Sequence, residues 1–125
     1  MNVVDSSGWL EYFADGPHAD FFARPIQDLE KLVVPALCIY EVFKRIAQQR
    51  GEDHALQAVA TMQQATVIDL TAPLALEAAR LSLESRLPMA DSIIMATARA
   101  FEATLWTQDA DFENIKGVRY IKRKA

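Results

Sequence analysis

The sequence predicts an α/β fold, a three-layer sandwich in which a small, mostly parallel central sheet is flanked by helices. Three observations predict it. Short apolar runs of strand type recur along the chain, at 2–4, 32–34, 66–68, 104–107 and 118–121. Longer stretches with apolar residues at helical spacing separate them, which suits crossover connections between parallel strands. Gly and Pro punctuate the joints, as in Gly16-Pro17, Pro35, Gly51, Pro73 and Pro88.

The elements follow in order. Asn2-Val3-Val4 is a short strand running into Asp5, and Ser6 or Ser7 is placed to cap a first helix over 8–15. Residues 18–29 read as further helix, redirected near Pro25. Leu32-Val33-Val34 is a second buried strand ending at Pro35. Residues 36–49 form a helix with Leu37, Tyr40, Phe43 and Ala47 on one stripe, stopped by Gly51. Helices over 53–64, 72–86 and 89–103 follow, the second with Pro73 in its first turn. The segment after Pro88 is apolar on nearly all sides, which predicts a buried central helix.

At 125 residues and 51% hydrophobic composition, the chain is the size of one domain with one core, expected to span 1–125. No apolar run reaches the roughly 20 residues a membrane helix needs. The opening Met-Asn-Val-Val-Asp has no basic region and no long apolar stretch, so no secretory leader is expected. The lone Cys38, in an apolar run, reads as a reduced core residue, and a cytoplasmic location follows. The net charge of −4 runs against the basic excess of a protein that grips phosphates, unless cations neutralise some of the acids. The last residues are locally basic, with Lys116, Arg119, Lys122, Arg123 and Lys124. They are either a solvated end or a contact for a phosphate backbone.

Four carboxylates sit in apolar surroundings where solvation does not explain them. Asp5 leaves the end of the first strand, and Glu41 interrupts an apolar helix. Asp91 opens the buried helix, and Asp109 follows the fourth strand by one residue. Ligands of open parallel sheets bind beyond the carboxyl ends of the strands, where these acids are expected to converge. Asp5 or Asp91 as a helix cap and Asp109 as a turn residue are the plain alternatives. Glu41 has no such role open to it. Unpaired buried carboxylates are costly, so a cluster of them calls for cations. An all-oxygen set selects Mg²⁺, with Mn²⁺ able to substitute, and suits phosphoryl chemistry. His18 and His54 lie in polar stretches without zinc-ligand spacing and are expected to face solvent.

Four segments together resemble a PIN-domain ribonuclease of the VapC toxin type. They are Val3-Val4-Asp5-Ser6-Ser7, Pro35-Ala36-Leu37-Cys38-Ile39-Tyr40-Glu41-Val42, the run from Leu87-Pro88-Met89-Ala90-Asp91-Ser92 to Ala98, and Leu105-Trp106-Thr107-Gln108-Asp109-Ala110-Asp111-Phe112. The resemblance covers essentially the whole chain. It implies catalytic, metal-binding acids at Asp5, Glu41, Asp91 and Asp109, with Asp111 matching an acid only some members use. It implies supporting hydroxyls at Ser6 and Thr107. It also implies Mg²⁺-dependent cleavage of RNA to a 5′-phosphate and a 3′-hydroxyl, a homodimer, and a VapB-type antitoxin that blocks the crevice. The aromatics Trp9, Tyr12, Phe13, Phe21 and Phe22 outnumber what one buried stripe requires. Trp9, Tyr12 and Phe13 are therefore candidates for a groove that accepts an apolar antitoxin helix.

Three other readings compete. A haloacid-dehalogenase-type phosphatase needs a second Asp two positions after the first, where Ser7 stands. A phospho-receiver domain needs an acidic pair and a late Lys that are not evident. A catalytically silent PIN-like binding module is opposed by the intact acid set.

Overall fold

The computed structural model describes residues 1–124. The chain runs β1 (Asn2–Val4), α1 (Ser6–Phe13), α2 (Ala19–Gln27), β2 (Val33–Pro35), α3 (Ala36–Arg50), α4 (Glu52–Met62), β3 (Thr66–Ile68), α5 (Ala72–Ser85), α6 (Met89–Ala100), β4 (Thr104–Thr107) and β5 (Val118–Tyr120). Every expected strand and helix is present, with boundaries shifted by one to three residues, and two of the shifts have a local cause. α1 begins at Ser6 because the extended Asp5 occupies the position before the helix, so neither serine caps it. α6 stops at Ala100, where the chain turns through Glu102 at φ +51°.

All the pairings are parallel. β1, β4 and β5 form one ladder in the order β1-β4-β5, and β2 pairs with β3. A parallel bridge from Asn2 to Leu32 joins the two, giving the order β3-β2-β1-β4-β5. Parallel strands share one carboxyl edge, so whatever follows Val4, Pro35 and Thr107 emerges on the same side. The amide of Asp5 donates to the carbonyl of Trp106 at 3.0 Å, which makes Asp5 the last rung of the sheet. α3 starts directly after β2 with no intervening loop. Glu41, six residues in, therefore lies about 9 Å from that edge along the helix axis at 1.5 Å per residue.

The core fills both faces of the sheet. Val3, Val4, Val33, Val34 and Leu105 are fully or almost fully buried, with Phe22, Phe112, Ile94 and Met95 packed among them. Strands buried on both faces read as continuous apolar runs rather than alternating ones, which is how these were recognised. α6 is the buried central helix. Its hydroxyls are satisfied within the helix, Ser92 Oγ donating to the Met89 carbonyl at 2.7 Å and Thr97 Oγ1 to the Ile93 carbonyl at 2.8 Å. Cys38 is fully buried with its thiol directed at the Val4 carbonyl, and burial pushes its pKa up, so it stays a thiol. Gly51, at φ +93°, turns α3 into α4. No helix among the described residues is long and apolar enough to cross a membrane.

Gly8 sets how closely α1 approaches α2 and β1. A Cβ there would lie 2.5 Å from Phe22 Cδ1 and Cε1 and 2.8 Å from Val4 Cγ1, both side chains being fully buried. Gly8→Ala is therefore expected to destabilise the fold by roughly 1–3 kcal/mol through overpacking, outweighing Ala's better helix propensity. Chemical denaturation measures it, and an unchanged midpoint would show that α1 can move away at little cost.

Candidate metal centre

Each acid reaches the carboxyl edge of the sheet on a different element. Asp5 leaves β1, Glu41 rides the second turn of α3, Asp91 the first turn of α6, and Asp109 follows β4. Asp111 lies in the single 3-10 turn Ala110–Phe112 that comes next. Asp91, Asp109 and Asp111 each offer a carboxylate oxygen, and those oxygens all lie within 4.8 Å of one another. Asp5, Glu41, Asp91 and Asp109 line one cleft of about 1060 Å³. The tightest group thus includes Asp111, the acid the resemblance assigns to only some members, while Asp5 and Glu41 line the cleft that Asp91 and Asp109 reach.

Hydroxyl groups fix the acids. Ser7 Oγ and Thr107 Oγ1 both donate to Asp5 Oδ2, at 2.8 and 2.9 Å, which holds the carboxylate's rotation. Thr107 Oγ1 in turn accepts the Asp109 amide at 2.9 Å, so one hydroxyl ties the ends of β1 and β4 together. Asp109 Oδ1 accepts the Asp111 amide at 3.0 Å and nucleates the 3-10 turn. Asp109 is therefore a turn residue as well as a member of the cluster. Ser6 Oγ donates to Glu41 Oε1 at 2.7 Å, linking α1 to α3. The hydroxyls expected to cap α1 instead orient acids. A Ser after a strand carries the same local signature in either role.

Asp5 makes no capping bond to α1, although it occupies the capping position. It is 3% exposed, and burial raises its pKa, opposed by the hydrogen bonds from Ser7 and Thr107. Asp91 is pushed up to about 8, first by burial and then by the charges of Asp109 and Asp5, with Asp111 adding to the rise. A bound cation would offset both the burial of these carboxylates and their mutual repulsion. The donors are all oxygen, which fits a hard divalent cation such as Mg²⁺ or Mn²⁺ and not Zn²⁺. Asp91, Asp109 and Asp111 would hold it, with Asp5 beside them.

Other walls of the cleft carry basic side chains. Arg45 and Arg50 come from α3, His54 from α4 and Arg123 from the segment after β5. Arg45 lies four residues after Glu41, so helical spacing put it on the same face, a signal present in the sequence but not used there. His54 is exposed as expected and lines the cleft. The expected aromatic groove is corrected in one respect. Trp9 is only 1% exposed and stacks under Phe13 at a centroid distance of 5.7 Å, so it supports the surface without forming it. Tyr12 and Phe13 are half-buried, and Phe13 lines the cleft. Apolar side chains at helical spacing do not reveal which of them faces inward.

Comparisons with known proteins agree with this fold. The PIN domain family model matches residues 3–118. No curated protein sequence matches the chain. Among solved structures, a toxin–antitoxin complex from Klebsiella pneumoniae aligns with TM-score 0.80 and 22% identity, covering 95% of this chain and 96% of that one. VapC20 of Mycobacterium tuberculosis, described as a sarcin-ricin loop cleaving toxin, aligns with TM-score 0.78 and 18% identity over 94% and 97% of the two chains. The DNA-bound VapBC of Salmonella typhimurium aligns with TM-score 0.74 and 14% identity over 98% of each. At these identities the likeness is one of fold. The family match takes in all five acids, from Asp5 to Asp111, and nearly the whole chain, which belongs to the PIN domain family.

Proposed function

We propose that this chain is a Mg²⁺-dependent endoribonuclease of 1–125, the toxin of a VapBC-type pair, acting in the cytoplasm. The observation that carries the reading is the meeting of Asp91, Asp109 and Asp111 carboxylates at the carboxyl edge of a parallel sheet, two of them lining a cleft that also holds arginines. A divalent cation bound there supplies the charge that in-line displacement at a phosphodiester needs, for the attacking water and for the leaving 3′-oxygen. The protein's own contribution is placement. Thr107 and Ser7 hold Asp5, Ser6 holds Glu41, and the buried α6 backbone holds Asp91 against movement. RNA as substrate is supported by VapC20, described as cleaving the sarcin-ricin loop. An antitoxin partner is supported by the similar toxin–antitoxin and VapBC structures, and the Phe13 side of the cleft is the surface proposed to receive it.

A homodimer is part of this proposal, and α5 supplies a surface for it. Its core face carries Ala78 and Leu81, yet the opposite face is also apolar, with Ala72, Leu76, Ala79 and Leu83 all exposed at helical spacing. Leu83 is 85% exposed. A helix apolar on both sides wants a cover. Two copies packed antiparallel about a twofold axis would set Leu83 against Ala72 and Leu76 against Ala79, large into small on both sides. The same register brings Arg86, after one α5, towards Asp69, before the other.

Four outcomes are expected. Purified protein cleaves single-stranded RNA only with Mg²⁺ or Mn²⁺. Asp5→Ala or Asp91→Ala lowers the rate more than about a hundredfold with the fold retained, and Thr107→Val lowers it about 10–100-fold. A folded wild-type chain that cleaves no cellular RNA at any concentration of either ion would indicate a binding module. Leu83→Glu is expected to convert the dimer to monomer by light scattering. An unaltered dimer would place the contact elsewhere.

A further inference from the structure

The segment after β5 returns to the metal cleft, and two hydrogen bonds determine where it goes. The Ile121 amide donates to the Thr107 carbonyl at 3.0 Å, so the chain leaves the sheet beside the residue that orients Asp5 and Asp109. One residue later, His18 Nε2 lies 3.0 Å from the Lys122 carbonyl. A carbonyl only accepts, so this bond requires the proton on Nε2. His18 is itself held at the start of α2, its amide donating to Glu11 Oε2 at 2.8 Å. Beyond these anchors Arg123 lines the cleft together with Asp5, Asp91 and Asp109.

A phosphodiester in this cleft lies among carboxylates. The chain is acidic overall, so attraction must come from cations placed locally. Arg45 and Arg50 stand on α3, and Arg123 arrives on the segment that leaves the sheet beside Thr107. A guanidinium is permanently charged and can bind two phosphate oxygens at once, and an ion pair formed as RNA enters also offsets the acids' field.

We infer that Arg123 is a phosphate-binding residue of the cleft, engaging the RNA backbone beside the metal-binding acids, and that His18 is its positioning residue through the Lys122 carbonyl. This rests on the ribonuclease reading above. The role differs from that of the acids, because it acts on substrate binding and leaves the reacting groups in place. A Gln at position 18 retains an amide N–H for the same carbonyl, whereas Phe retains the ring without a donor.

The experiment uses the full chain and a short single-stranded RNA oligonucleotide of mixed sequence. Cleavage kinetics in Mg²⁺ are paired with binding by fluorescence anisotropy in Ca²⁺ across a salt series. Arg123→Ala is expected to raise KM about tenfold, equivalent to about 1.4 kcal/mol, with kcat changed much less. It should also reduce the salt slope of binding by about 0.7, the loss of one phosphate contact on a single strand. His18→Phe should reproduce the KM rise, and His18→Gln should restore most of it. Unchanged KM and salt slope in Arg123→Ala, with a wild type that cleaves, would overturn the inference while leaving the ribonuclease reading standing. A normal His18→Phe beside a defective Arg123→Ala would overturn the positioning role. A wild type that binds but does not cleave would defeat the ribonuclease reading, and the salt slopes would still decide for or against Arg123.

Discussion

Three carboxylates with oxygens inside 4.8 Å of one another repel, and much of this architecture exists to hold them there. Two like charges about 4 Å apart cost on the order of 4 kcal/mol in a protein-surface environment. The fold does not remove that cost by pairing each acid with a base. It lets Asp91 keep its proton up to about 8 and anchors the neighbours with neutral hydroxyls and amides. Because the Asp91 pKa lies above the unfolded value of 3.8, its contribution favours the fold below that pH and is lost as pH rises through about 8. A cation that occupies the cluster reverses the sign of the problem.

The sheet makes such crowding tolerable. Parallel pairing sends β1, β2 and β4 out on one edge, and the strands beneath that edge are packed too tightly to relax. α6 is buried on almost every side from Ser92 to Ala98, which anchors the helix that carries Asp91 in its first turn. Thr107 is the pivot of the hydrogen bonding, since its single hydroxyl serves the ends of two strands and thereby fixes Asp5 relative to Asp109. Rigidity here is functional, because an acid displaced by an ångström would ligate poorly.

Much of this was legible in the sequence because it is local. Strand and helix order, the buried character of α6 and the positions of Asp5, Glu41, Asp91 and Asp109 all follow from apolar patterning and from acids that interrupt it. The parts that were not legible depend on long-range geometry. Ser6 and Ser7 look like caps from their neighbours alone, and only the approach of α3 and β4 gives their hydroxyls other partners. Asp111 joins Asp91 only because a 3-10 turn folds back after β4. Trp9 sits among equally apolar neighbours, and nothing local tells that it is the one sealed beneath Phe13. The basic end had two open readings, and the return of Arg123 to the cleft required both β5 and α2 to be in place.

The central claim is that the acid cluster is a cation site whose metal-free form retains a proton. Isothermal titration of the metal-free protein with Mg²⁺ near neutral pH, repeated in buffers of different ionisation enthalpy, counts the protons that leave on binding. With Asp91 at about 8 and Asp5 also raised, about one proton or more should be released per ion near pH 7, and the share from Asp91 should vanish well above that value. Binding with no proton release at neutral pH, or no binding at all, would contradict the account.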